Sequence, residues 1–157
     1  MKNKREKKSA FQKAVEATPD IESGFEPGLQ AFEEKHRNKV SVPHTRSLEG
    51  SVDIEKHTKP KYPGSRQWDY AFAYRGEVFF IEVHGAQTSK VREVLEKLQW
   101  LKGWLDHEAP AIKRLIATSR FPYYWVQSGD FDIPKRTSQY KQLMEVGLMP
   151  VSKVELK

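Results

Sequence analysis

Two adjacent runs of aromatic and β-branched residues constrain this fold more than any other feature of the chain. Residues 67–74 (QWDYAFAY) and 77–84 (EVFFIEVH) flank the dipeptide Arg75-Gly76. Runs of this composition, separated by two residues of which one is Gly, are typical of two strands joined by a tight turn. The sequence therefore predicts a β-hairpin over 67–84.

The predicted register collects polar residues on one face of the hairpin. If Tyr74 pairs with Glu77 across the turn, Asp69 lies directly opposite Glu82. His84 falls on the same face because side chains alternate along a strand. Two carboxylates held across neighbouring strands repel each other, which costs stability unless a cation or a shared proton relieves them.

A hard divalent cation is a natural partner for this arrangement. Mg²⁺ takes a few carboxylate ligands together with water and phosphate oxygens. We therefore expect Asp69 and Glu82 to ligate Mg²⁺ or Mn²⁺, which would polarise a scissile phosphate and lower the pKa of an attacking water. His84 would orient or deprotonate that water, or contact the phosphate. In the alternative interpretation, Asp69 ends a strand, Glu82 pairs with a basic residue and His84 is an ordinary surface histidine.

The rest of the chain alternates helical and strand patterns. The patterns predict helices at 9–17, 27–38, 89–106 and 137–146, and strands at 51–55, 112–118, 123–127 and 151–156. On the second of these helices, Glu33 lies at the edge of the apolar stripe and can face inward, whereas Glu34 faces outward. Because a helix that connects two strands permits a parallel pair, the predicted class is α/β or α+β with a mixed sheet.

Composition and charge narrow the compartment and the partners. The 157 residues include no Cys, which excludes disulfides, thiolate nucleophiles and Cys-based zinc sites. The absence of a long apolar run and the charged N-terminus predict a cytoplasmic or otherwise intracellular protein with no membrane partner. Of the net charge of +6, +4 lies in residues 1–8, so we expect a disordered basic arm at 1–8 and a single domain over 9–157. Such an arm favours contacts with nucleic-acid phosphates.

The segment 68–85 (WDYAFAYRGEVFFIEVHG) resembles the PD-(D/E)XK nuclease superfamily, which has the restriction-endonuclease-like fold. The core of that family is a helix, a meander of three antiparallel strands, a helix and a fourth strand. The resemblance covers roughly residues 26–118, by pattern and order of elements. It implies an α/β fold with a central mixed β-sheet flanked by helices, and a Mg²⁺-dependent endonuclease that hydrolyses phosphodiester bonds, with DNA as the expected substrate.

The resemblance also assigns site residues. In that family an Asp begins the second core strand and a Glu-x-Lys motif lies on the third, and Asp69 and Glu82 match the two carboxylates. Glu33 matches a Glu that many members carry on the first helix, which implies that it is an accessory metal ligand. His84 stands where the family has Lys and would replace it.

The replacement of Lys by His leaves two functions open. Lys has a permanent positive charge, whereas His is largely neutral at pH 7. Lys90 and Lys97 on the following helix are candidates for a migrated cation, but their wheel positions do not decide whether either reaches the carboxylates. The chain is therefore expected to be either a nuclease or a catalytically inactive relative that acts as a nucleic-acid-binding or assembly subunit.

Two indoles are predicted to lie off the buried stripe of the long helix. Trp100 and Trp104 are therefore candidates for a second packing layer, for stacking on unpaired bases, or for a dimer interface. Relatives in the nuclease superfamily are often dimeric, and an enzyme that cuts both strands of a duplex needs two sites. The resemblance thus implies a possible homodimer.

Overall fold

A computed structural model of the chain describes residues 7–85, 88–129 and 133–157, so most of the predicted basic arm at 1–8 lies outside the described residues. The helices are α1 (Ala10–Glu16), α2 (Ile54–Thr58), α3 (Val91–His107), α4 (Pro110–Lys113) and α5 (Ser138–Glu145). The strands are β1 (Val40–Ser41), β2 (Leu48–Asp53), β3 (Tyr70–Tyr74), β4 (Glu77–His84), β5 (Tyr123–Gln127), β6 (Leu148–Val151) and β7 (Val154–Glu155). No helix among the described residues has both the length and the apolar composition to cross a membrane.

Five strands form one mixed sheet, in the spatial order β2-β3-β4-β5-β6. The first three strands are antiparallel to one another, and β5 and β6 continue the sheet in parallel with β4. Helices α3 and α5 lie in the two connections between parallel strands, which need a long crossover. The chain is therefore α/β, with a mixed central sheet flanked by helices, as predicted at that level.

The hairpin of β3 and β4 has the predicted register. Tyr74 pairs with Glu77 across a turn in which Arg75 has φ 51° and Gly76 has φ 80°. Two consecutive left-handed residues are characteristic of the type I′ turn, whose twist matches that of the flanking strands. Gly at the second position reaches this conformation without a Cβ clash. The turn therefore fixes the pairing that the sequence indicated.

Each face of the sheet has its own apolar core. One face, which carries Ala71, Ala73 and Phe80, packs against α1 and α3. The other face, which carries Phe72 and Phe79, packs against side chains from the segment 29–42 and from β7. Because both faces are covered, β3 is buried along its whole length.

The predicted helix at 27–38 does not form. Gly28 has φ 55°, outside the right-handed helical region, and the following residues make only turns before a short 3-10 helix at Glu34–Lys39. Contacts with the sheet replace the helical hydrogen bonds: the Ala31 N–H donates to Ser51 Oγ, and the Phe32 ring stacks on Tyr70. The apolar residues of this segment are thus buried without a helix, because tertiary packing outweighs a moderate helix propensity.

The predicted strand at 112–118 is also wrong. Pro110 begins the short helix α4, a favoured position for Pro, and Ile112 is buried there. The segment makes only an isolated parallel bridge, between Ile116 and Val78. The strand that follows the long helix is therefore β5.

The remaining predictions agree with the structure to different extents. The helices expected at 9–17, 89–106 and 137–146 and the strand at 123–127 are confirmed as α1, α3, α5 and β5. The strand expected at 51–55 begins earlier, as β2, and gives way to α2. The strand expected at 151–156 is divided between β6 and β7.

Candidate functional site

Asp69 and Glu82 lie side by side at the end of the β3–β4 hairpin. The Asp69 N–H donates to Glu82 Oε1 at 3.1 Å, and the Val83 N–H donates to Asp69 Oδ2 at 3.0 Å. Both hydrogen bonds join a backbone N–H to a side-chain carboxylate, just beyond the last backbone pair of the hairpin, Tyr70–Ile81. The structure therefore brings together the two carboxylates that the sequence placed opposite each other.

Lys97 provides the positive charge beside this pair. It lies on α3, and its Nζ is 2.5 Å from Glu82 Oε2. The Glu82 side chain is fully buried, and that of Lys97 is 12% exposed. Lys97 and Glu82 therefore form a nearly buried ion pair. In such a pair, the free-energy cost of desolvating both charges is offset only if the geometry is good.

Burial dominates the protonation of the two carboxylates. Desolvation raises the pKa of Asp69 to about 6, although Lys97 and the Val83 N–H oppose the rise. Desolvation, together with the negative charge of Asp69, also raises the pKa of Glu82 well above its usual value. Burial lowers the pKa of Lys97, but the two carboxylates more than compensate and raise it overall. The cluster thus binds protons readily and remains positively charged at Lys97.

His84 lies at the edge of the cluster and forms a second layer of contacts. Its Nδ1 is 3.9 Å from Glu82 Oε2, and its Nε2 is 2.6 Å from Glu93 Oε2, although the ring is not turned to donate a hydrogen bond there. Burial, followed by the charge of Lys97, lowers the pKa of His84. Glu93 is also 3.0 Å from Arg66, which attaches the preceding loop to α3. His84 is therefore mostly neutral at pH 7 and adjoins the carboxylates.

Glu33 is not joined to the pair by any contact among the described residues. Its side chain is 59% exposed, and its carboxylate is 3.5 Å from Lys35 Nζ. The Glu33 N–H donates to the Tyr70 hydroxyl, so the backbone is fixed while the carboxylate points to solvent. Its predicted position depended on the helix at 27–38, which does not form.

The oxygen donors of Asp69 and Glu82 fit a small hard cation. Asp69 uses only Oδ2 in the hydrogen bonds formed within the described residues, whereas both oxygens of the buried Glu82 already accept a hydrogen bond, from the Asp69 N–H and from Lys97. A carboxylate oxygen has two lone pairs, so each can accept one ligand more. Mg²⁺ commonly takes one or two carboxylates and keeps its other positions for water and phosphate. Within residues 7–85, 88–129 and 133–157, however, no three His, Asp or Glu side chains are close enough to share a metal ion. A metal held here would have two protein carboxylates as ligands.

Two further carboxylates influence the cluster, and the sequence analysis did not include them. Asp53 at the end of β2 and Glu55 in α2 both raise the pKa of Asp69. The Ile54 N–H donates to the Asp69 carbonyl at 2.8 Å, which holds this segment against the start of β3. In the sequence, Asp53 and Glu55 are visible as an acidic pair at the end of a predicted strand. Their proximity to Asp69 could not be predicted, because it depends on the pairing of β2 with β3.

Comparisons with known proteins give no independent assignment. A scan of protein-family models found no match, and searches of curated proteins and of solved structures found none either.

Proposed function

We propose that the protein is a Mg²⁺- or Mn²⁺-dependent nuclease of the PD-(D/E)XK type that hydrolyses phosphodiester bonds in DNA. The observation that carries the proposal is the convergence of Asp69, Glu82 and Lys97, with Lys97 Nζ 2.5 Å from Glu82 and the carboxylates joined through backbone hydrogen bonds. Two carboxylates and one lysine are the functional groups of the motif that the sequence resembles. In this interpretation Lys97, on the following helix, takes the place of the Lys that His84 replaces.

The order of elements supports the same proposal. Apart from the short elements β1, α2 and α4 that lie between them, the chain has in order a helix (α1), three antiparallel strands (β2 to β4), a long helix (α3) and a parallel strand (β5). Asp69 immediately precedes the second strand of this meander, and Glu82 lies on the third. We therefore infer a restriction-endonuclease-like core in which α1 takes the position expected for the helix at 27–38.

Each residue has a role that follows from its position. Asp69 and Glu82 would hold the metal, which when bound supplies charge neutralisation at the phosphate and a water of lowered pKa. Lys97 holds a positive charge beside them and would stabilise the negative charge that develops on the phosphate oxygens. His84 has a lowered pKa and is mostly neutral at pH 7, so it can accept a proton from an attacking water.

The test is cleavage of plasmid and single-stranded DNA with Mg²⁺ or Mn²⁺. Asp69→Asn and Glu82→Gln should each lower the rate at least about a hundredfold, because they remove charge from groups that act together in the transition state. Glu33→Gln and Glu34→Gln form a matched pair of neighbouring exposed residues. If Glu33 is an accessory ligand, as the resemblance implies, only the first of these should lower the rate. Wild-type protein without metal-dependent cleavage, or equal activity in Asp69→Asn, would refute the proposal.

A second candidate is a nuclease fold that binds nucleic acid without cutting it. The specific observation in its favour is that Lys97 already neutralises Glu82, and that within the described parts of the chain no third carboxylate or His joins the pair as a ligand. Calorimetric titration separates the two candidates. A nuclease should bind Mn²⁺ with heat that Asp69→Asn abolishes, whereas an inactive subunit should bind DNA with no such metal signal.

A further inference from the structure

A groove with aromatic walls runs along α3 on the side facing the loop 59–66. It has a volume of about 300 Å³, and besides Trp104 it is lined by Tyr62, Gln99, Trp100, Gly103, His107 and Glu108. We call it the aromatic groove. The Trp100 and Trp104 rings are stacked, with centroids 5.7 Å apart, and Tyr62 meets Trp100 edge to face at 5.8 Å. Planar π surfaces and a few polar groups thus meet in one concave site.

Two side chains of the aromatic groove, Tyr62 and Trp104, are held in place by one carboxylate. Both the Tyr62 hydroxyl and the Trp104 indole N–H donate to Asp20 Oδ2, at 2.5 and 3.0 Å. Lys61 forms an ion pair with the other oxygen of this carboxylate, whose side chain is only 10% exposed. The two rings are therefore fixed before any ligand arrives, which lowers the entropic cost of binding.

Gly103 has no packing role that explains its presence. It lies in the interior of α3, where Gly destabilises a helix relative to Ala. A Cβ placed on Gly103 would meet nothing within 4 Å. The missing side chain therefore does not accommodate another part of the described chain. Instead, it leaves open space in the groove beside Trp100, which a large side chain at this position would fill.

Helix α3 connects the aromatic groove to the carboxylate cluster. Lys97 precedes Trp100 by three residues, which is about 4.5 Å along the helix axis and places both on neighbouring turns of one side. The same side carries Glu93, which binds Arg66 of the loop at 3.0 Å. A group that stacks on Trp100 in the groove therefore lies about one helical turn from Lys97, the cation of the candidate site.

The loop beside the groove is basic in composition. Residues 56–66 (KHTKPKYPGSR) contain four Lys and Arg and no acidic residue. Two of these four are paired with carboxylates, Lys61 with Asp20 and Arg66 with Glu93 and Glu96, and the other two are Lys56 and Lys59. Tyr62 belongs to this segment, so one wall of the groove is part of the loop that carries these lysines. Aromatic faces beside basic residues are a usual combination in proteins that bind single strands.

We propose that the aromatic groove binds an unpaired nucleobase of single-stranded DNA, which stacks against Trp100 while the adjoining phosphate passes the Asp69–Glu82–Lys97 cluster. The proposal builds on the proposed function and specifies its substrate as DNA with at least one unpaired base near the cleavage point. Gln99, His107 and Glu108 supply hydrogen-bonding groups at the rim for the base edge.

The test measures fluorescence anisotropy of a labelled oligothymidylate with the full chain in EDTA, so that binding is read without cleavage. Trp100→Leu and Gly103→Leu should each weaken single-strand binding about tenfold, because one removes the stacking surface and the other fills the groove. The controls are Trp100→Phe and Gly103→Ala, which keep an aromatic ring and add only one methyl group. Both controls should bind within about threefold of wild type. Circular dichroism establishes that each variant is folded, and Gly103→Leu provides the test if Trp100→Leu is not.

A fully paired duplex of the same length and an oligoribothymidylate, which has the same bases on a ribose backbone, complete the experiment. Duplex binding should be unaffected by Trp100→Leu and Gly103→Leu, and weaker binding of the ribose oligomer supports DNA as the ligand. The proposal is overturned if single-strand affinity is unchanged in both variants. It is also overturned if Gly103→Leu instead converts a dimer to a monomer by sedimentation with no change in affinity, which would make the groove a dimer interface. If Trp100→Leu and Gly103→Leu keep their single-strand affinity and still cleave DNA, the groove proposal fails but the nuclease proposal remains. If both variants lose single-strand binding and wild type does not cleave DNA, the nuclease proposal fails but the groove proposal remains.

Discussion

At the scale of single residues, the charge state of the hairpin end depends on Lys97. Asp69 and Glu82 would repel each other strongly without it, because both are shielded from water. The helix that carries the lysine also carries Glu93, four residues earlier, which lies beside His84. The two positions occupy neighbouring sites on one side of α3, so this helix supplies both the cation and the partner of the histidine.

Replacing Lys97 by Met should leave the carboxylate pair without its cation. We expect the free energy of unfolding to fall by about 3 kcal/mol at pH 8, because a buried charge loses its partner, and by less at pH 5, where Asp69, with a pKa of about 6, is protonated. Urea denaturation at both pH values measures the effect. The control is Arg92→Met, whose side chain is 93% exposed and whose loss should change stability by less than about 1 kcal/mol. Equal losses at both pH values would contradict this account.

Asp69 should make the protein less stable as the pH rises. Its pKa is raised from 3.8 to about 6 by burial, so the folded chain binds this proton more tightly than the unfolded chain does. The stability contributed by the protonated form is therefore present below about pH 4 and is lost as the pH rises through about 6. Asn at this position keeps an oxygen for the Val83 N–H but has no charge. In metal-free buffer, Asp69→Asn should be more stable than wild type by about 1–3 kcal/mol at pH 8, with little difference at pH 4.

Urea denaturation from pH 4 to pH 8 measures this difference. Asp106→Asn is the matched control, because that carboxylate is exposed and its hydrogen bond with Lys113 lowers its pKa. It should show no gain in stability at high pH. Added Mg²⁺ should stabilise wild type but not Asp69→Asn if the pair holds the metal. A wild type whose stability relative to Asp69→Asn rises with pH in EDTA would show that the sign is wrong.

At the scale of elements, α3 combines three tasks that its periodicity alone does not separate. Its buried stripe covers one face of the sheet, Lys97 reaches the hairpin, and the side with Trp100 forms the wall of the aromatic groove. The stripe follows from the 3.6-residue period, which is why the extent of the helix was predicted correctly. The prediction that Trp104 lies off the stripe was wrong, because its ring is buried against Trp100 and bonded to Asp20. The other two tasks depend on what lies opposite each side of the helix, which the period does not reveal.

Gly103→Ala should stabilise the protein through this helix. Ala is favoured over Gly in a helix interior by about 1 kcal/mol, and the added methyl group meets open space. We expect the urea midpoint to rise with an unchanged slope. Gly147→Ala is the opposite case. Gly147 follows α5 with φ 73°, a left-handed conformation that strains Ala, so this substitution should destabilise the protein. A loss of stability in Gly103→Ala would show that the glycine has a packing role.

At the scale of the whole molecule, the central sheet is enclosed on two sides by different kinds of structure. Helices cover the face with Ala71 and Phe80, whereas mainly irregular segments and a short ribbon cover the face with Phe72. Phe32, which comes from one of the irregular segments, is 1% exposed and stacks on Tyr70 with centroids 4.2 Å apart. A segment without regular structure therefore contributes to the core.

Phe32→Ala should therefore destabilise the protein as a core mutation does. We expect a loss of about 3–5 kcal/mol in the free energy of unfolding, from lost burial and the cavity that remains. Phe121→Ala is the matched control, because Phe121 is 45% exposed and should cost less than about 1 kcal/mol. Chemical denaturation of the two variants gives the comparison. Similar small losses in both would mean that the segment 29–42 is not part of the cooperative core.

The hairpin, its register and the proximity of Asp69 and Glu82 could be predicted from the residues alone, because a two-residue turn and strict alternation are local properties. Helix α3 could also be predicted, from its hydrophobic period. Three outcomes became visible only in the folded chain: residues 27–33 are irregular, Glu33 faces solvent, and Lys97 supplies the cation. Those outcomes depend on contacts between segments far apart in the chain, where burial against the sheet outweighs a local propensity of less than about 1 kcal/mol per residue.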